Sequence, residues 1–313
     1  MKELISIIIP CYNEEECINT FYNELDKVTK KIKADFEILF IDDGSKDETL
    51  NIIKKLYKND KRVRYLSFSR NFGKESGMYA GLNYVTGDYV AFMDVDLTDP
   101  PEKLIEMYKY IKDDNYDCVA LYTSNHKEYS PIRKILTNIW YKIAKKISAK
   151  KSVPGERDFR LMTKKMADTI LNMKEHNRYI KGIYTYVGFN TKWIAYEAPK
   201  REKGKSKYSM SYLFRCALDG VTSFSTKPLT IPIYIGLILF IPSLIYILFV
   251  LIKSLIIGKL VYEYTLLISV ITFVGGLILY FIGIIGIYIS KIYIEAKNRP
   301  EYIVKETEKD FKE

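Results

Sequence analysis

The sequence has few of the residues from which zinc sites and disulfide frameworks are built. Four cysteines are scattered among 313 residues, and no C-x-x-C pair occurs. Such spacing indicates neither a zinc site nor a set of disulfides, so we expect reduced thiols on the cytosolic side. Motifs that read a nucleic-acid groove or stack on bases are also absent, and this weighs against nucleic acid as a partner. The cysteines are Cys11, Cys17, Cys118 and Cys216.

Negative charge is in deficit as well. The chain carries 48 Lys and Arg residues against 38 Asp and Glu residues, a formal net charge of +10. A balance of this sign favours anionic partners, and with nucleic acid set aside these are a phosphorylated substrate and an anionic lipid bilayer. The length allows about two domain-sized units.

Two long segments contain no charged residue at all. They are residues 229–252 and 264–290, and each exceeds the roughly 20 residues that a helix needs to span a bilayer. Buried core helices are the alternative. Two such runs separated by a short lysine-containing loop favour a transmembrane hairpin instead.

The charges around these segments predict the orientation of the hairpin. Seven Lys and Arg residues lie between residue 200 and the first segment, and three follow the second by residue 299, whereas the connecting loop has two lysines and one glutamate. Since positive flanks face the cytosol, we expect both termini on the cytosolic side of the membrane.

The expected division of the chain follows from this pattern. An α/β domain is predicted at 1–206, a juxtamembrane amphipathic segment at 207–228, the two-helix hairpin at 229–290 and a cytosolic tail at 291–313. For 208–225, an interfacial helix and a linker helix packed on the domain both remain open.

The first 206 residues alternate short apolar runs with charged amphipathic segments. This alternation predicts βαβ units and a mostly parallel sheet. We expect Asn13 to cap the first helix, with the acidic residues after it in the first turn. Strands are predicted at 5–10, 36–42, 63–67, 89–94 and 117–122, and helical segments at 14–33 and 46–59.

Polar clusters follow four of the predicted strands, where an open α/β sheet binds its ligands. The first two can hold a nucleotide, with an acid on the ribose or uracil and Gly44 allowing close backbone approach. An ordinary Asp-Gly turn is the alternative for the second cluster. The clusters are Pro10-Cys11-Tyr12-Asn13-Glu14, Asp42-Asp43-Gly44-Ser45-Lys46-Asp47, Ser69-Arg70-Asn71-Phe72-Gly73-Lys74-Glu75 and Asp94-Val95-Asp96.

Asp94 and Asp96 stand two residues apart at the end of an apolar run, shortly before a Pro-Pro stop. Carboxylate oxygens at this place suit a hard cation, Mg²⁺ or Mn²⁺, that bridges substrate phosphates. A D-x-D pair by itself is weak, because acidic pairs at strand ends are often solvated turns. The order and spacing of all four clusters make the constellation specific.

Taken together, the clusters resemble the inverting family-2 glycosyltransferases with a GT-A fold, in particular bacterial polyisoprenyl-phosphate glycosyltransferases related to dolichol-phosphate mannose synthase. The resemblance extends over nearly the whole chain and includes the two-span hairpin. Further matching pieces are Asp158-Phe159-Arg160-Leu161-Met162, Asn177-Arg178-Tyr179-Ile180-Lys181-Gly182, Arg201-x-x-Gly204-x-Ser206-Lys207-Tyr208 and Ile294-Glu295-x-x-x-Arg299-Pro300-x-Tyr302.

The resemblance implies roles for the matching residues. Asp94 and Asp96 would hold the sugar nucleotide and its metal ion, Mg²⁺ or Mn²⁺, with Asp96 also serving the chemistry. Asp158 would be the catalytic carboxylate, for which a structural salt-bridged turn is the alternative. The nucleotide pocket would be lined by Pro10, Tyr12, Glu14, Asp42 and Asp43. The acceptor phosphate would be met by Arg133, Arg201, Ser206 and Lys207.

One stretch departs from the family pattern. Members often carry two arginines after the strand predicted to end at residue 122, and the corresponding residues here are Thr123 and His126. Either Lys127, Arg133 and Lys134 take over phosphate binding, or the acceptor geometry differs. His126 is expected to be a loop histidine without a catalytic role.

The implied reaction is transfer of a sugar, glucose or N-acetylglucosamine first, from a UDP-sugar to polyprenyl (undecaprenyl) phosphate with inversion, for modification of cell-envelope glycans. Relatives also suggest a homo-oligomer, with a tetramer as one state. A processive polysaccharide synthase is an alternative, which the missing Q-x-x-R-W motif and the two spans disfavour. A non-catalytic membrane scaffold is another, which the intact Asp94, Asp96, Asp158 and Arg201 disfavour.

Overall fold

The computed structural model describes residues 2–123, 153, 155–173, 175, 178, 180–197 and 264–310, and five isolated residues, 235, 238, 245, 252 and 256. Eight strands of this described part form one sheet. They are β1 (Leu4–Cys11), β2 (Asp35–Asp42), β3 (Val63–Phe68), β4 (Tyr89–Phe92), β5 (Cys118–Thr123), β6 (Glu156–Thr163), β7 (Thr191–Tyr196) and β8 (Val304–Thr307). The described helices are α1 (Ile18–Thr29), α2 (Thr49–Asn59), α3 (Lys74–Tyr84), α4 (Lys103–Asp114), α5 (Lys164–Leu171), α6 (Ile180–Val187) and α7 (Tyr264–Lys297), with a 3₁₀ turn at Glu308–Asp310.

The strands lie in the order β7-β5-β6-β4-β1-β2-β3-β8 across the sheet. In its centre β3, β2, β1 and β4 are parallel. Strands β1 and β2, LISIIIPC and DFEILFID, are apolar almost throughout, as expected of parallel strands that are covered on both faces. The chain moves outward from β1 to β3 and returns to β4 on the other side of β1. The carboxyl ends of β1 and β4 therefore border the point where strand order reverses.

The outer strands make the sheet mixed. Strand β6 runs antiparallel between β4 and β5, and β8 runs antiparallel to β3. The sequence of β6, ERDFRLMT, contains Arg160, which is buried. Its guanidinium donates to Glu156 Oε1 at 2.8 Å, and its Cζ lies 3.4 Å from the ring centroid of Tyr184. The buried charge is thus paired and stacked, which reduces the cost of removing it from water.

The helices pack on the sheet through one apolar face. In α1 the buried residues include Ile18, Phe21 and Leu25, which follow the spacing of a helix face. Helix α3 comes especially close, because a Cβ atom at Gly81 would lie 2.2 Å from Ile8 Cγ2 in β1. This close packing places the first turn of α3 beside the ends of the central strands.

The predicted α/β fold with a mostly parallel sheet is confirmed. The strands predicted at 5–10, 36–42, 63–67 and 117–122 agree with β1, β2, β3 and β5 within two residues. The strand predicted at 89–94 ends at Phe92, which leaves Asp94 in the loop beyond β4.

The capping role predicted for Asn13 is wrong. Helix α1 begins at Ile18 after Cys17, and no side chain caps it. Asn13 has a φ of 53°, and its side-chain oxygen accepts a hydrogen bond from the backbone N–H of Lys46 at 2.9 Å. The amide therefore binds the loop after β2 instead of the start of its own helix.

The C-terminal residues contribute to the sheet. Contacts divide the chain into one unit of Met1–Leu213 with Arg299–Glu313 and a second unit of Phe214–Asn298. Strand β8 lies in the first unit, whereas the sequence predicts only a tail at 291–313. In the part of the chain that the structure describes, no helix combines the length and apolar character needed to cross a membrane. The juxtamembrane segment 207–228, and the span 229–252 apart from four isolated positions, lie outside the described residues, so the hairpin stays a prediction.

Candidate active site

The loops after β1 and β2 are hydrogen-bonded to each other. The backbone N–H of Asn13 donates to Ser45 Oγ at 3.0 Å, and that of Glu14 donates to Thr49 Oγ1 at 2.8 Å. Two segments that are some thirty residues apart in sequence therefore form one edge of the crevice beyond the parallel strands.

Asp42, the last residue of β2, supports this edge from inside. The residue is buried. Its Oδ1 accepts from the backbone N–H of Ser45 at 3.0 Å, and its Oδ2 accepts from Ser67 Oγ at 2.7 Å. Both carboxylate oxygens are thus engaged within the protein, and they fix the turn that follows β2.

Asp43 joins that turn to the loop after β3. Its two oxygens accept from the backbone N–H groups of Phe72 and Gly73 at 2.6 and 2.9 Å. Burial raises the pKa of the Asp43 carboxyl, and these two donors oppose the rise. Gly44 has a φ of 66°, and a Cβ atom there would lie 2.5 Å from the carbonyl carbon of Arg70. The close backbone approach predicted for Gly44 therefore occurs between two loops of the protein.

Charged groups from three different elements meet beyond β4. Lys74, the first residue of α3, has its Nζ 2.6 Å from Asp94 Oδ1, 2.9 Å from Asp94 Oδ2 and 2.6 Å from Asp158 Oδ2. Lys181 of α6 has its Nζ 3.8 Å from Asp158 Oδ1. We call Lys74, Asp94, Asp158 and Lys181 the lysine–carboxylate cluster. Its members lie at the point where strand order reverses.

Lys74 and Asp158 stabilise each other's charged forms, whereas burial raises the pKa of Asp94 against the opposing charge of Lys74. Burial by itself would lower the pKa of Lys74, but the carboxylates of Asp94 and Asp158 outweigh it and raise that pKa. Burial would likewise raise the pKa of Asp158, but Lys74 and Lys181 reverse the shift and hold it well below its usual range. Asp158 Oδ1 is buried and has no hydrogen-bond donor among the described residues. An ionised Asp158 can therefore accept one further hydrogen bond.

A second network shapes the loop that carries Asp96. The exposed Asp96 accepts through Oδ1 from Thr98 Oγ1 at 2.7 Å, and Thr98 Oγ1 accepts from Arg157 Nη2 at 2.6 Å. Arg157 Nε also donates to the buried Asp99 at 2.7 Å, and the hydroxyl of Tyr196 donates to the same carboxylate. Through these contacts β6 and β7 hold the D-x-D loop in place.

Sequence reasoning gave no role to Lys74, Lys181 or Glu75. Glu75 is half-buried, and its Oε1 accepts from the backbone N–H of Ile180, the first residue of α6, at 3.3 Å. Lys74 and Lys181 lie in motifs that carry the family resemblance, and all three residues lie in the first turn of a helix. A charged residue at the start of a helix that follows a strand-end cluster is the feature that could have identified them.

The structure brings together some of the predicted site residues. Asp94 and Asp158 share one ammonium group although they are far apart in sequence. Pro10 is half-buried at the end of β1, Tyr12 is 41% exposed in the loop after it, and Glu14 is half-buried in the same loop. These residues border the same strand ends as the lysine–carboxylate cluster.

The predicted acceptor residues, and the stretch in which Thr123 and His126 depart from the family pattern, lie almost wholly outside the described residues. Thr123 is the last residue of β5. The remaining residues of that group lie outside the described residues. They are His126, Lys127, Arg133, Lys134, Arg201, Ser206 and Lys207.

The residues suited to a metal ion are Asp94 and Asp96. Within the described residues, no three or more His, Cys, Asp or Glu side chains are gathered into a metal-binding group. Mg²⁺, however, is often bound through one or two protein carboxylates while substrate phosphates and water complete its shell. The donor set therefore fits a divalent ion that is bound together with a diphosphate.

The fold and the site define a class of protein. A parallel α/β sheet with carboxylates and lysines at the carboxyl ends of its strands is suited to an enzyme that binds a phosphorylated donor in the crevice there. Residues 6–171 match glycosyl transferase family 2. The chain belongs to this family and is a glycosyltransferase.

Several relatives are similar over almost their full length. CsbB of Bacillus subtilis (strain 168), provisionally described as a glycosyltransferase, is 42% identical over 98% of this chain and 93% of its own. The SfII prophage-derived bactoprenol glucosyl transferase of Shigella flexneri is 40% identical over 97% and 98% of the two chains. The prophage bactoprenol glucosyl transferase homolog of Escherichia coli (strain K12) is 39% identical over 97% and 99%.

Proposed function

We propose that this glycosyltransferase transfers a sugar from a UDP-sugar to polyprenyl phosphate with inversion at the anomeric carbon. Glucose is the first candidate and N-acetylglucosamine the second. The observation that carries the proposal is the similarity to bactoprenol glucosyl transferases, at 39–40% identity across nearly the whole of both chains. The lysine–carboxylate cluster supports it, because charged groups stand where a sugar diphosphate would be cleaved.

Donor binding is assigned to the loops after β1 and β2. Pro10, Tyr12 and Glu14 would line the nucleotide pocket, with the half-exposed ring of Tyr12 available to a base. Asp42 and Asp43 would act mainly by fixing the loops, since their oxygens are bound within the protein.

Asp94 and Asp96 would hold a divalent cation, Mg²⁺ or Mn²⁺, with Asp94 also close to the sugar nucleotide. Such an ion, when bound, neutralises the charge that grows on the departing diphosphate. The hydroxyl of Thr98 donates to Asp96 Oδ1 and so restricts the rotation of this carboxylate.

Asp158 would help to position the reactants and would not need to deprotonate the acceptor phosphate. A phosphate monoester has a second pKa of about 6, so the nucleophile is mostly ionised at neutral pH. Attack by its oxygen on the anomeric carbon forms the new glycosidic bond as the bond to the nucleoside diphosphate breaks on the opposite face. Lys74 and Lys181 keep Asp158 ionised, and its Oδ1 can accept from a sugar hydroxyl.

Acceptor binding is assigned to Arg133, Arg201, Ser206 and Lys207. We predict that Arg201→Lys raises the apparent KM for polyprenyl phosphate about tenfold, about 1.4 kcal/mol, because lysine cannot form the bidentate fork of arginine on phosphate. The Kd for the UDP-sugar, measured on the same variant, should stay near the wild-type value. A loss of affinity for the UDP-sugar with an unchanged KM for polyprenyl phosphate would show that Arg201 binds the donor and that its assignment to the acceptor is wrong.

The membrane arrangement completes the proposal. Residues 229–252 and 264–290 would form a hairpin in a bacterial plasma membrane, with both termini and the active site cytosolic and residues 207–228 against an anionic lipid surface. The sequence supports it through the two uncharged runs and the basic flanks. A homo-oligomer, with a tetramer as one state, belongs to the same proposal.

A product assay tests the proposed function. Membranes containing the full-length protein are incubated with polyprenyl phosphate and a panel of radiolabelled nucleotide sugars, and the lipids are extracted. We expect one lipid-linked monosaccharide from a UDP-sugar, and none from the matched Asp158→Asn variant. A polymer would instead indicate a processive synthase, and the absence of product with every donor would indicate a non-catalytic scaffold.

A further inference from the structure

A single ammonium group satisfies both oxygens of Asp94 and one oxygen of Asp158. The three contacts from Lys74 Nζ measure 2.6, 2.9 and 2.6 Å. A lysine ammonium has three donors and no acceptor, so Lys74 directs all of its hydrogen-bonding capacity at these carboxylates.

A divalent cation at Asp94 would meet this ammonium at short range. Like charges that share one half-buried carboxylate repel each other strongly, because the surroundings screen them less than water does. The diphosphate of a nucleotide changes the balance, since its oxygens offer the ammonium a new anionic partner. The metal ion alone is therefore opposed by Lys74, whereas the metal ion with a diphosphate is not.

Lys74 has room to change partners. Its side chain is 38% exposed, although its ammonium is held between two acids. The residue before it, Gly73, is held by Asp43, which accepts from its backbone N–H at 2.9 Å. The long flexible side chain can thus turn away from Asp94 while the start of α3 stays in place.

We propose that Lys74 couples the binding of the metal ion to the binding of the sugar nucleotide. Without a diphosphate it competes with the ion for Asp94, and with a diphosphate it moves to the phosphate oxygens and leaves Asp94 to the ion. This inference rests on the donor and metal roles proposed above for Asp94 and Asp96. Because coupling is reciprocal, the ion strengthens nucleotide binding by the same factor as the nucleotide strengthens ion binding.

Mn²⁺ binding to the purified full-length protein tests the coupling without reference to activity. Free Mn²⁺ is measured by electron paramagnetic resonance, with and without UDP, and corrected for Mn²⁺–UDP complexes in solution. In the wild type we expect UDP to tighten Mn²⁺ binding at least tenfold. In Lys74→Gln we expect Mn²⁺ alone to bind at least tenfold more tightly than to the wild type. The tightening by UDP should be at least threefold smaller than in the wild type, and it should not vanish, because the diphosphate still supplies ligands to the ion.

Two control variants separate coupling from a general loss of charge. Lys74→Arg keeps a cation at the same position and should retain weak Mn²⁺ binding without UDP. Lys181→Gln removes a lysine that contacts Asp158 and not Asp94, and its affinity for Mn²⁺ alone should stay within threefold of the wild type. Thermal unfolding verifies each fold, and Lys74→Met replaces Lys74→Gln if the glutamine variant does not fold.

The outcomes distinguish this inference from the proposed function. If the wild type makes the lipid-linked sugar and the Lys74→Gln variant binds Mn²⁺ no more tightly than the wild type, the coupling is wrong and the function stands. If the wild type binds no Mn²⁺ with or without UDP, the metal role and the coupling are both wrong. If Lys181→Gln tightens the binding of Mn²⁺ alone as much as Lys74→Gln does, the specific role of Lys74 is also wrong.

Discussion

Charge compensation at the level of single residues explains why so many ionised groups stand at the ends of buried strands. Lys74 lies between two carboxylates, and the buried Asp99 accepts hydrogen bonds from both Arg157 and Tyr196. Removing one partner of a buried ion pair commonly costs 3–5 kcal/mol, because the other charge is left unpaired. Substitutions on one side of these pairs should therefore affect stability as well as activity.

Glu75 is a carboxylate whose surroundings favour its neutral form. Burial raises its pKa to about 7, with the charge of Asp158 adding to the rise, while the N–H of Ile180 and the cations Arg178 and Lys181 oppose it. Between its ordinary value of 4.5 and about 7, the folded protein retains a proton that the unfolded chain has lost. Stability should therefore fall as pH rises through this window, by at most about 3 kcal/mol.

The variant Glu75→Gln tests this pH dependence. The amide does not titrate, so the difference in Tm between pH 5 and pH 8 should shrink, and the variant should be the more stable protein at pH 8. Glu16→Gln, at an exposed position, should leave the difference as it is in the wild type. An unchanged pH dependence in Glu75→Gln would show that another group is responsible.

At the scale of strands and helices, the apolar strands could be predicted, but the polar strands β6 and β8 could not. Continuous apolar runs identified β1 and β2 within a residue or two. Strand β6 is rich in charge, and it is stable as a buried strand only because partners such as Glu156 and Tyr184 compensate Arg160. Strand β8 has only four residues, VKET, and depends on pairing with the distant β3. Neither compensation nor long-range pairing is visible in a local pattern.

The same limit applies to the candidate site. The four strand-end clusters could be predicted from composition and order, because parallel strands bring their carboxyl ends to one edge. The meeting of Asp94 with Asp158 on Lys74 depends on β6 lying antiparallel beside β4. Spacing along the chain contains no such information, and the family resemblance alone suggested Asp158.

Gly44 is the point where the loops after β2 and β3 touch, so Gly44→Ala should damage both. Its φ is 66°, and the new Cβ would lie 2.5 Å from the backbone of Arg70. We expect stability to fall by more than the roughly 1–3 kcal/mol of backbone strain alone, together with a weaker affinity for UDP. Asn115→Ala is the control for the left-handed backbone alone, because Asn115 has a φ of 56° at an exposed position. Equal losses of Tm would contradict the steric explanation.

The segment before β8 should stabilise the sheet through Tyr302. Its ring stacks on Phe68 with centroids 5.1 Å apart and an interplanar angle of 20°, and it meets Tyr79 edge-on at 6.3 Å. We expect Tyr302→Ala to lower the free energy of unfolding by roughly 1–3 kcal/mol, since the side chain is only partly buried. Tyr186→Ala, at a position that is 68% exposed, should change Tm little. Similar losses of stability in both variants would show that Tyr302 has no specific role in stabilising the sheet.

At the scale of the whole molecule, the positive net charge and the proposed hairpin would both bring the enzyme to the membrane surface. The net charge of +10 and the basic residues that flank the uncharged runs would draw the catalytic unit toward anionic lipid, at about 1 kcal/mol for each Lys or Arg near the surface. A polyprenyl phosphate presents its headgroup at that same surface. The orientation of the hairpin therefore decides whether the active site can reach both the cytosolic donor and the lipid acceptor.

Cysteine labelling of intact cells tests that orientation. A cysteine introduced at Gly258, in the loop between the two uncharged runs, should react with a membrane-impermeant thiol reagent added outside. One introduced at Glu313 should react only after the cells are opened, because in the proposed arrangement the basic flanks would keep the C-terminus in the cytosol. The parent protein is labelled in parallel, so that any reaction of its four native cysteines is subtracted. If the reagent labels Glu313 from outside and does not label Gly258, the topology is the reverse of the proposed one. That topology would also separate the active site from the cytosolic UDP-sugar, and the proposed reaction could then not take place where we assign it.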